Sequence, residues 1–411
     1  MRLLYSFVGI FIILGIAYLM SNNRKSINYR TVFGAFFIQA FFAFLVLYVP
    51  FGKAALAYLS NGVSAAISAG ADGVAFVFGP LADMSVGFIF AINVLAIIIF
   101  FSALLSVLYH IKVMPLIINT LGLGLHKLLG TSRTESLTAT ANIFVGLTEA
   151  PLVVRPFLHA MTRSELFAVM TCGLASVAGG VLVGYALLGI EMKYLIAASF
   201  MAAPGGLLMA KIIYPQTEED KVQDTMEAIQ GDSADEKPTN VVEAAANGAS
   251  AGLMLVANVG AMLIAFIGIV TLMDMILGSF GSVFGFEGLS FTFILGYLFS
   301  PFAFILGIPW DEAVRVGAFL GQKLIFNEFV AYMSFAKEMA TFSPLTQAIT
   351  SFALCGFANI SSIGILVGGL GALAPNQKSN VAQLGVKAVV AGTLSNFMSA
   401  TLAGIFLSFS L

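Results

Sequence analysis

The chain has 411 residues, of which 59% are hydrophobic and only 10% are charged. Because soluble domains carry roughly a quarter charged residues, this composition excludes a water-soluble globule and predicts an integral membrane protein with lipid around most of its surface. The formal net charge of −2 carries little information, and the sequence has no basic patch that suggests a nucleic-acid partner. The sequence contains no Ser-His-Asp set, metal motif or phosphate-binding loop, so an enzyme is not expected.

Eight segments are long and apolar enough to be transmembrane helices, for which about 20 residues are needed. They lie at about 3–20, 31–50, 86–109, 165–189, 194–213, 248–277, 345–373 and 384–410. Between the second and third of them, residues 54–78 are rich in Ala, Gly and Ser, which predicts a helix at the membrane interface. The expected fold is therefore an all-α, multi-pass protein of the cytoplasmic (inner) membrane.

Two further apolar segments, 132–160 and 308–337, carry ionisable residues near their middle. Glu149 lies in the first segment and Glu328 in the second. A charge that faces lipid at mid-bilayer is costly. Each segment is therefore predicted to be a re-entrant hairpin whose tip lies inside protein.

The S/T-x-x-E pattern of a capping box predicts helix starts at two places that bracket the first hairpin. Ser132 is followed three residues later by Glu135, and Thr162 is followed in the same way by Glu165.

Residues 214–245 are predicted to be an acidic cytoplasmic loop. Between Pro215 and Thr239 this segment holds eight of the chain's 21 acidic residues, which is typical of a solvated, mobile loop. Its cytoplasmic side follows from Arg24 and Lys25, because basic residues after the first span mark the inner side of the membrane.

The chain contains two copies of one pattern, a hairpin followed by a span that small polar residues interrupt. They are the hairpin 132–160 with the span 165–189 in residues 111–213, and the hairpin 308–337 with the span 345–373 in residues 290–373. Spans broken at matching positions of two halves indicate a transporter's binding site, because a broken helix frees backbone carbonyls and amides at membrane depth. Three spans separate the hairpins, so the repeats are expected to be inverted. The other spanning segments, in 1–110, 246–277 and 384–411, are assigned to a scaffold.

Two acidic residues in the hairpins are the first candidates for binding. Glu149 and Glu328 are expected to be functional because acids within a membrane seldom have another role. The structural alternative is an ion pair inside each hairpin, joining Glu149 to Arg155 and Glu328 to Lys323.

Neutral polar residues at the hairpin and the breaks are the second set of candidates. Asn142, Thr148 and Ser176 offer hard oxygen ligands that suit a sodium ion. The alternative for them is hydrogen bonding between helices. The second break carries a matching polar cluster, which consists of Asn359, Ser361 and Ser362.

The motifs at these places resemble those of the concentrative nucleoside transporters, especially their bacterial members. The matching stretches are ANIFVG (141–146), TEAPLVVRPF (148–157), GLASVAGG (173–180), NEFVAY (327–332) and ALCGFANISSIG (353–364), and the similarity runs over essentially the whole chain. The resemblance implies a homotrimer in which each protomer has a scaffold and a mobile transport domain. It also implies symport of nucleosides with sodium by an elevator-type movement.

The resemblance further implies one nucleoside site and one sodium site, built from the hairpins and the breaks. In the nucleoside site, the ribose is held by Glu328, Asn359 and Ser362. The base is held by Thr148 and Glu149, with Leu147 beside them and apolar walls near Val181 and Phe357. The sodium ligands are Asn142, Val145, Thr148, Ser176 and Val177.

Two other functions compete with a sodium–nucleoside symporter. A proton-coupled member of the same family would use Glu149 or Glu328 to take the proton, but Asn142 and Ser176 retain the sodium-site pattern. A membrane channel or a substrate sensor would belong to another class. A passive pore could not concentrate a solute, and a receptor would need a signalling domain that this chain lacks outside its acidic loop.

Leu147 departs from the family, which usually has glutamine at this position to hydrogen-bond the base. Leaving a base edge unpaired in a buried site costs about 1–3 kcal/mol, so we expect weakened or altered base selectivity with transport retained. Leu147→Gln should therefore raise the affinity for at least one class of base by about one to two decades. Binding or uptake of purine and pyrimidine nucleosides measures this, and unchanged affinity across all bases would contradict it.

Overall fold

The computed structural model describes residues 2–83, 85–218, 238–286 and 288–409, and every regular element in these ranges is a helix. The α-helices are α1 Arg2–Leu19, α2 Tyr29–Leu47, α3 Pro50–Phe78, α4 Ala96–His110, α5 Val113–Leu129, α6 Arg133–Ala141, α7 Arg163–Ala175, α8 Gly179–Leu187, α9 Met192–Ile213, α10 Val241–Val283, α11 Phe291–Ile305, α12 Trp310–Ile325, α13 Glu328–Glu338, α14 Pro344–Leu354, α15 Ser361–Leu373 and α16 Lys378–Leu407. A π-helical turn, Ala91–Leu95, leads into α4, and a 3-10 helix, Ala150–Ala160, precedes α7.

Seven helices in the described ranges are long and apolar enough to cross a membrane, or eight if the bent pair α11 and α12 forms one span. These helices are not the same set as the eight predicted spans. The first predicted span is a shorter apolar helix, Leu3–Leu19, and the span 345–373 is divided into α14 and α15. The segment 54–78, predicted to lie at the interface, belongs to a helical stretch of 33 residues, Pro50–Ala82, that has the length and composition of a spanning helix.

Both predicted capping boxes are confirmed. The side chain of Ser132 accepts a hydrogen bond from the backbone N–H of Glu135, and the Glu135 carboxylate accepts one from the backbone N–H of Ser132. Thr162 and Glu165 make the same reciprocal pair at the start of α7. Each box satisfies two of the backbone N–H groups that a helix start leaves without intrahelical partners.

The predicted acidic loop is shorter than its assigned range 214–245. Helix α10 begins at Val241, where the Asn240 side chain caps it by accepting a hydrogen bond from the N–H of Glu243 at 2.9 Å. Asparagine at this position supplies an acceptor that the first helical turn needs. Most of the acidic residues lie in 219–237, outside the described residues.

The helices differ sharply in how much of their surface the protein itself covers. In the most apolar window of α9, 94% of the residues are buried inside the structure, and the figure is 89% for the stretch that contains α7 and α8. In α10 and in the stretch that contains α3, only 6% of the residues in the corresponding window are buried. The first group therefore forms the interior, whereas α3 and α10 present apolar side chains outward, as lipid or another protein surface requires.

A buried ion pair ties the starts of α6 and α7 to the end of α9. Lys211 forms a salt bridge with Glu135 and donates a hydrogen bond to the Ser164 hydroxyl at 3.0 Å. The side chains of Lys211 and Glu135 are only 8% and 2% exposed. A pair this deeply buried is costly to break, since one charge would remain without its partner.

Lys211→Met is expected to lower the free energy of unfolding by about 3–5 kcal/mol, because the buried Glu135 carboxylate loses its partner. Adding Glu135→Gln removes the uncompensated charge and should recover most of that loss. Glu338→Gln is the matched control, since it breaks an exposed pair with Arg315 and should cost at most about 1 kcal/mol. Thermal unfolding of the purified proteins in one detergent compares them, and equal losses for Lys211→Met and Glu338→Gln would refute the argument.

Candidate functional site

The first predicted break is present between α7 and α8. Helix α7 ends at Ala175, Ser176 has extended backbone, and α8 begins at Gly179. The Ser176 hydroxyl donates to the Cys172 carbonyl at 3.0 Å. The freed Ser176 carbonyl accepts a hydrogen bond from the backbone N–H of Phe357 at 3.0 Å, so it is satisfied by the second break.

The second break lies between α14 and α15, and one amide side chain organises it. The Asn359 oxygen accepts hydrogen bonds from the backbone N–H and the hydroxyl of Ser362, both at 2.9 Å, and from the Ser361 hydroxyl at 2.7 Å. These bonds satisfy the start of α15, which has no other side-chain cap. Asn359 and Ser362 are both 2% exposed.

Backbone hydrogen bonds join the two hairpin segments to the two breaks. The Phe144 carbonyl in the first hairpin accepts from the N–H of Gly179 at 3.0 Å. The Leu324 carbonyl in the second hairpin accepts from the N–H of Ile360 at 3.0 Å. Together with the bond between the breaks, these contacts link all four segments into one unit.

The tip of the first hairpin follows α6. Asn142 directly follows α6 and is 1% exposed, and its amide nitrogen donates to the Thr138 carbonyl at 2.9 Å. Its amide oxygen is buried and has no hydrogen-bond partner in the described part of the chain. At the tip, Thr148 and Glu149 are exposed, whereas Leu147 is 5% exposed.

Leu147 lies where the hairpin meets α7. A Cβ atom placed on Gly173 would lie 3.0 Å from the Leu147 Cβ and 3.6 Å from the Asn142 amide oxygen. A larger residue at position 173 would have to displace Leu147 by a few tenths of an ångström, so the segment around Leu147 packs closely on the helix that leads into the first break.

Glu328 is the centre of the polar cluster in the second half. It begins α13, is 4% exposed, and its two carboxylate oxygens have different partners. One oxygen accepts from the Tyr185 hydroxyl at 2.8 Å, and the other accepts from the Asn359 amide at 3.4 Å. The start of a helix favours a carboxylate, because its backbone N–H groups carry partial positive charge.

The ion pairs that sequence allowed as structural alternatives are not formed. Within the described ranges the salt bridges join Lys193 to Glu191, Lys211 to Glu135, and Arg315 to Glu338. Instead, the Glu149 carboxylate accepts a hydrogen bond from the N–H of Gly146 at 3.3 Å. Lys323 donates to the Ala353 carbonyl at 2.8 Å and to the Asn396 side-chain oxygen at 2.7 Å.

Sequence reasoning missed two residues that complete this arrangement, Tyr185 and Asn396. Tyr185 lies on α8, is fully buried, and stacks on Tyr332 with ring centroids 4.4 Å apart. The Asn396 amide nitrogen on α16 donates to the carbonyls of Ala175 at 2.6 Å and Cys355 at 2.9 Å. Both lie in apolar spans, where a single polar side chain gives little sign of its partner.

The remaining predicted residues lie around the same segments. Val181 is 2% exposed and Phe357 is half-buried. Of the predicted sodium ligands, the side chains of Asn142, Val145, Ser176 and Val177 are buried and that of Thr148 is exposed. The unpartnered Asn142 oxygen is a neutral, hard acceptor of the kind that a sodium ion takes, so the residues present fit this ion.

Three family models match consecutive parts of the chain. They are described as the N-terminus of Na⁺-dependent nucleoside transporters, matching residues 8–81, a nucleoside recognition domain called Gate, matching residues 91–192, and the C-terminus of Na⁺-dependent nucleoside transporters, matching residues 194–404. Among curated proteins, the chain is 53% identical over 415 residues to "Nucleoside permease NupC" of Helicobacter pylori, covering 98% of each chain. It is 54% identical over 417 residues to an "Uncharacterized transporter" of Haemophilus influenzae, covering 99% of this chain and 98% of that protein.

Solved structures agree with these matches. The structure of CNTnw in an inward-facing substrate-bound state is 51% identical, covers 100% of this chain and 99% of that chain, and superposes with a TM-score of 0.95. A CNTnw variant in an intermediate state reaches a TM-score of 0.97 at 51% identity, covering 100% of both chains. The family models confirm sodium as the family's co-transported ion. Because the family consists of transporters, the chain is not an enzyme. The chain therefore belongs to the concentrative nucleoside transporter family and is a multi-pass membrane protein that transports nucleosides.

Proposed function

We propose that the protein carries nucleosides across the cytoplasmic membrane together with sodium, by an elevator-type movement of the domain that holds the site. The observation that supports this most directly is the buried cluster of Glu328, Asn359 and Ser362. A carboxylate, an amide and a hydroxyl in hydrogen-bond contact form a polar surface at membrane depth, where unpaired polar groups are costly. Ribose hydroxyls are donors and acceptors that such a surface matches.

Tyr185 prepares the cluster to receive the ribose. Its hydroxyl holds one oxygen of Glu328, so the carboxylate keeps one orientation before the sugar arrives. A preorganised site loses less free energy on ordering when the ligand binds. The second Glu328 oxygen accepts the long 3.4 Å contact from Asn359, and we assign it to accept a ribose hydroxyl.

The base is assigned to the tip of the first hairpin. Thr148 and Glu149 are exposed there and offer a hydroxyl and a carboxylate to the polar edge of a base. Val181 and Phe357 supply apolar surface for its faces. Leu147, buried against Gly173, offers no hydrogen bond and so leaves the tip with fewer polar contacts to the base.

Sodium is assigned to the joint between the first hairpin and the first break. Its ligands are the side-chain oxygens of Asn142, Thr148 and Ser176 and the backbone carbonyls of Val145 and Val177. An ion at this joint would hold the hairpin tip against α7 and so fix Thr148 where the base binds. The same contact makes sodium and nucleoside binding mutually reinforcing, which is the condition for coupled transport.

The elevator movement is supported by the unequal burial of the helices. Helices α7, α9, α14 and α16 pack closely around the two breaks, and we place them with the hairpins in the moving domain. This arrangement moves α16 from the scaffold that its sequence suggested, because Asn396 on α16 binds both breaks. The outward-facing apolar surfaces of α3 and α10 are the surfaces proposed to face lipid and the other protomers of a homotrimer. CNTnw has been solved in inward-facing, outward-facing and intermediate states, which supports a movement of this kind.

Sodium coupling predicts the behaviour of an Asn142→Ala variant. Losing one ligand should raise the sodium concentration for half-maximal nucleoside uptake by about tenfold or more, within the range of coupling energies between sites. Asn376→Ala is the matched control, since its exposed amide donates to the His159 carbonyl in a contact that involves neither break. Uptake into proteoliposomes with sodium or choline, at two pH values, makes the measurement.

If uptake persists in choline and follows the proton gradient, the coupling ion is a proton and not sodium. Equal sodium requirements for Asn142→Ala and wild type would remove Asn142 from the ion site.

Tyr185→Phe is expected to weaken nucleoside binding by about tenfold, because Glu328 loses a hydrogen bond to a charged group in a buried site. Tyr332→Phe is the matched control, since it removes the same hydroxyl from a stacked, fully buried ring whose donor contact goes to the Ser351 carbonyl. Calorimetric titration of both proteins with one nucleoside in sodium compares the two. Equal losses of affinity in both variants would mean that the hydrogen bond from Tyr185 to Glu328 has no specific role in nucleoside binding.

A further inference from the structure

Lys323 is a buried lysine held by neutral acceptors. It lies in the last turn of α12 and is 1% exposed. Its ammonium donates to the Ala353 carbonyl at 2.8 Å and to the Asn396 side-chain oxygen at 2.7 Å. Within the described residues no carboxylate lies within salt-bridge distance of it, and Glu328 attracts its charge only from farther away. The groups in direct contact with the ammonium are therefore neutral.

The stabilising groups are the ends of two helices. Ala353 is next to the last residue of α14, and Asn396 passes the contact on to the carbonyls of Ala175 and Cys355. Helix α7 ends at Ala175, so the carbonyl ends of both half-helices meet at this one place. Each helix end carries about half a negative charge, and two such ends balance about one positive charge.

The first half of the molecule has a corresponding place. There Asn142, at the end of the first arm of the hairpin, lies beside α7, which ends at the first break. In the second half, Lys323 at the end of the first arm of the hairpin meets the end of α14. The first of these places has an unpartnered buried oxygen and is the proposed sodium site. The second contains the Lys323 Nζ, a nitrogen that can carry a positive charge and that the chain itself supplies.

We propose that the Lys323 ammonium is a tethered cation that does in the second half what sodium does in the first, neutralising the carbonyl end of a half-helix so that the nucleoside pocket can form. The proposal rests on the proposed sodium-coupled function. It makes Lys323 a positioning residue, because it acts on the nucleoside through Ala353 and Asn396 and not by direct contact. Because Lys323 occupies the site in the second half, a single sodium ion in the first half completes the pocket.

The network also explains how a change at one break reaches the other. Asn396 bonds to the ends of α7 and α14 at once, and Gly356 permits this, since a Cβ there would lie 2.2 Å from the Asn396 side-chain oxygen. A cation that holds Asn396 therefore holds both half-helices in one relative position. Without it, no positive charge would offset the partial negative charges of the two carbonyl ends.

The test removes the tethered cation and offers a free one. In Lys323→Ala, nucleoside binding should weaken about tenfold or more at fixed sodium, and its dependence on sodium should steepen from about first order toward about second order as a second ion enters. Methylammonium chloride should restore binding relative to the same concentration of choline chloride, because only the smaller cation fits the space left by the lysine. Lys323→Arg should keep most of the wild-type affinity.

Two comparisons separate this role from a structural one. Lys323→Met keeps the apolar stem without the charge, and wild-type affinity with wild-type sodium dependence in that variant would overturn the proposal. Lys211→Ala is the matched control, a buried lysine paired with Glu135, whose loss should lower thermal stability and leave the order of the sodium dependence unchanged.

The wild-type protein provides a measurement that needs no variant. The proposal requires one sodium ion per nucleoside, counted by paired tracer fluxes in proteoliposomes, and two ions per nucleoside would refute it. If wild-type uptake needs no sodium at all, the proposed function fails. If wild-type uptake needs sodium while Lys323→Ala and Lys323→Met behave as wild type, only the tethered-cation proposal fails.

Discussion

A helix that stops partway through a membrane leaves carbonyl and amide groups without intrahelical partners, and lipid offers none in exchange. The chain meets this requirement at both breaks with its own groups. The Asn359 side chain accepts a hydrogen bond from the N–H of Ser362 at the start of α15. The Ser176 carbonyl accepts one from the N–H of Phe357 in the opposite break. The Asn396 amide donates hydrogen bonds to carbonyls at the ends of α7 and α14. The positions of both breaks, and hence of the site, depend on these few bonds.

Residues near each break contact the segment predicted to be the opposite hairpin. Tyr185, in the half-helix after the first break, binds Glu328 of the second hairpin, and a Cβ on Gly184 would lie 3.1 Å from the Phe329 ring. In return, Thr148 of the first hairpin packs against Gly369 in the half-helix after the second break, where a Cβ would lie 3.0 Å from its methyl group. A ligand that contacts one hairpin therefore also acts on the other half. Coupling between an ion and a solute requires such a shared element.

Local signals in the sequence predicted local structure well. The capping boxes at Ser132 and Thr162 specify their helix starts within four residues of chain, and both are present. The break around Asn359 was also predictable, since small polar residues in an apolar run have little other use in a membrane. The roles of Tyr185 and Asn396 were not, because their partners lie 143 and 221 residues away. Nothing in an apolar helix indicates which neighbour a single polar side chain will face.

Composition and length favour different positions for one helix. Residues 54–78 have few large aliphatic side chains, which favoured an interfacial position, yet the helix that contains them is long enough to cross. At the first hairpin, proximity in sequence suggested an ion pair that the structure does not contain. Glu149 and Arg155 are close along the chain, but the 3-10 segment between them leaves Arg155 exposed and gives the Glu149 carboxylate a backbone partner at Gly146.

Contacts at glycine are closer in two helix pairs, α16 with α7 and α10 with α4, than where α8 meets α4. In the first pair, a Cβ on Gly392 of α16 would lie 2.9 Å from the Leu174 side chain of α7. In the second, a Cβ on Gly248 of α10 would lie 2.6 Å from the backbone of α4. Where α8 meets α4, the corresponding distance from Gly180 to Ser102 is 3.6 Å, which is ordinary van der Waals contact. Helices whose backbones interlock cannot slide past each other without separating, whereas side chains in ordinary contact can exchange neighbours. The contact between α8 and α4 is therefore where the proposed elevator-type movement would meet little interlocking of backbones.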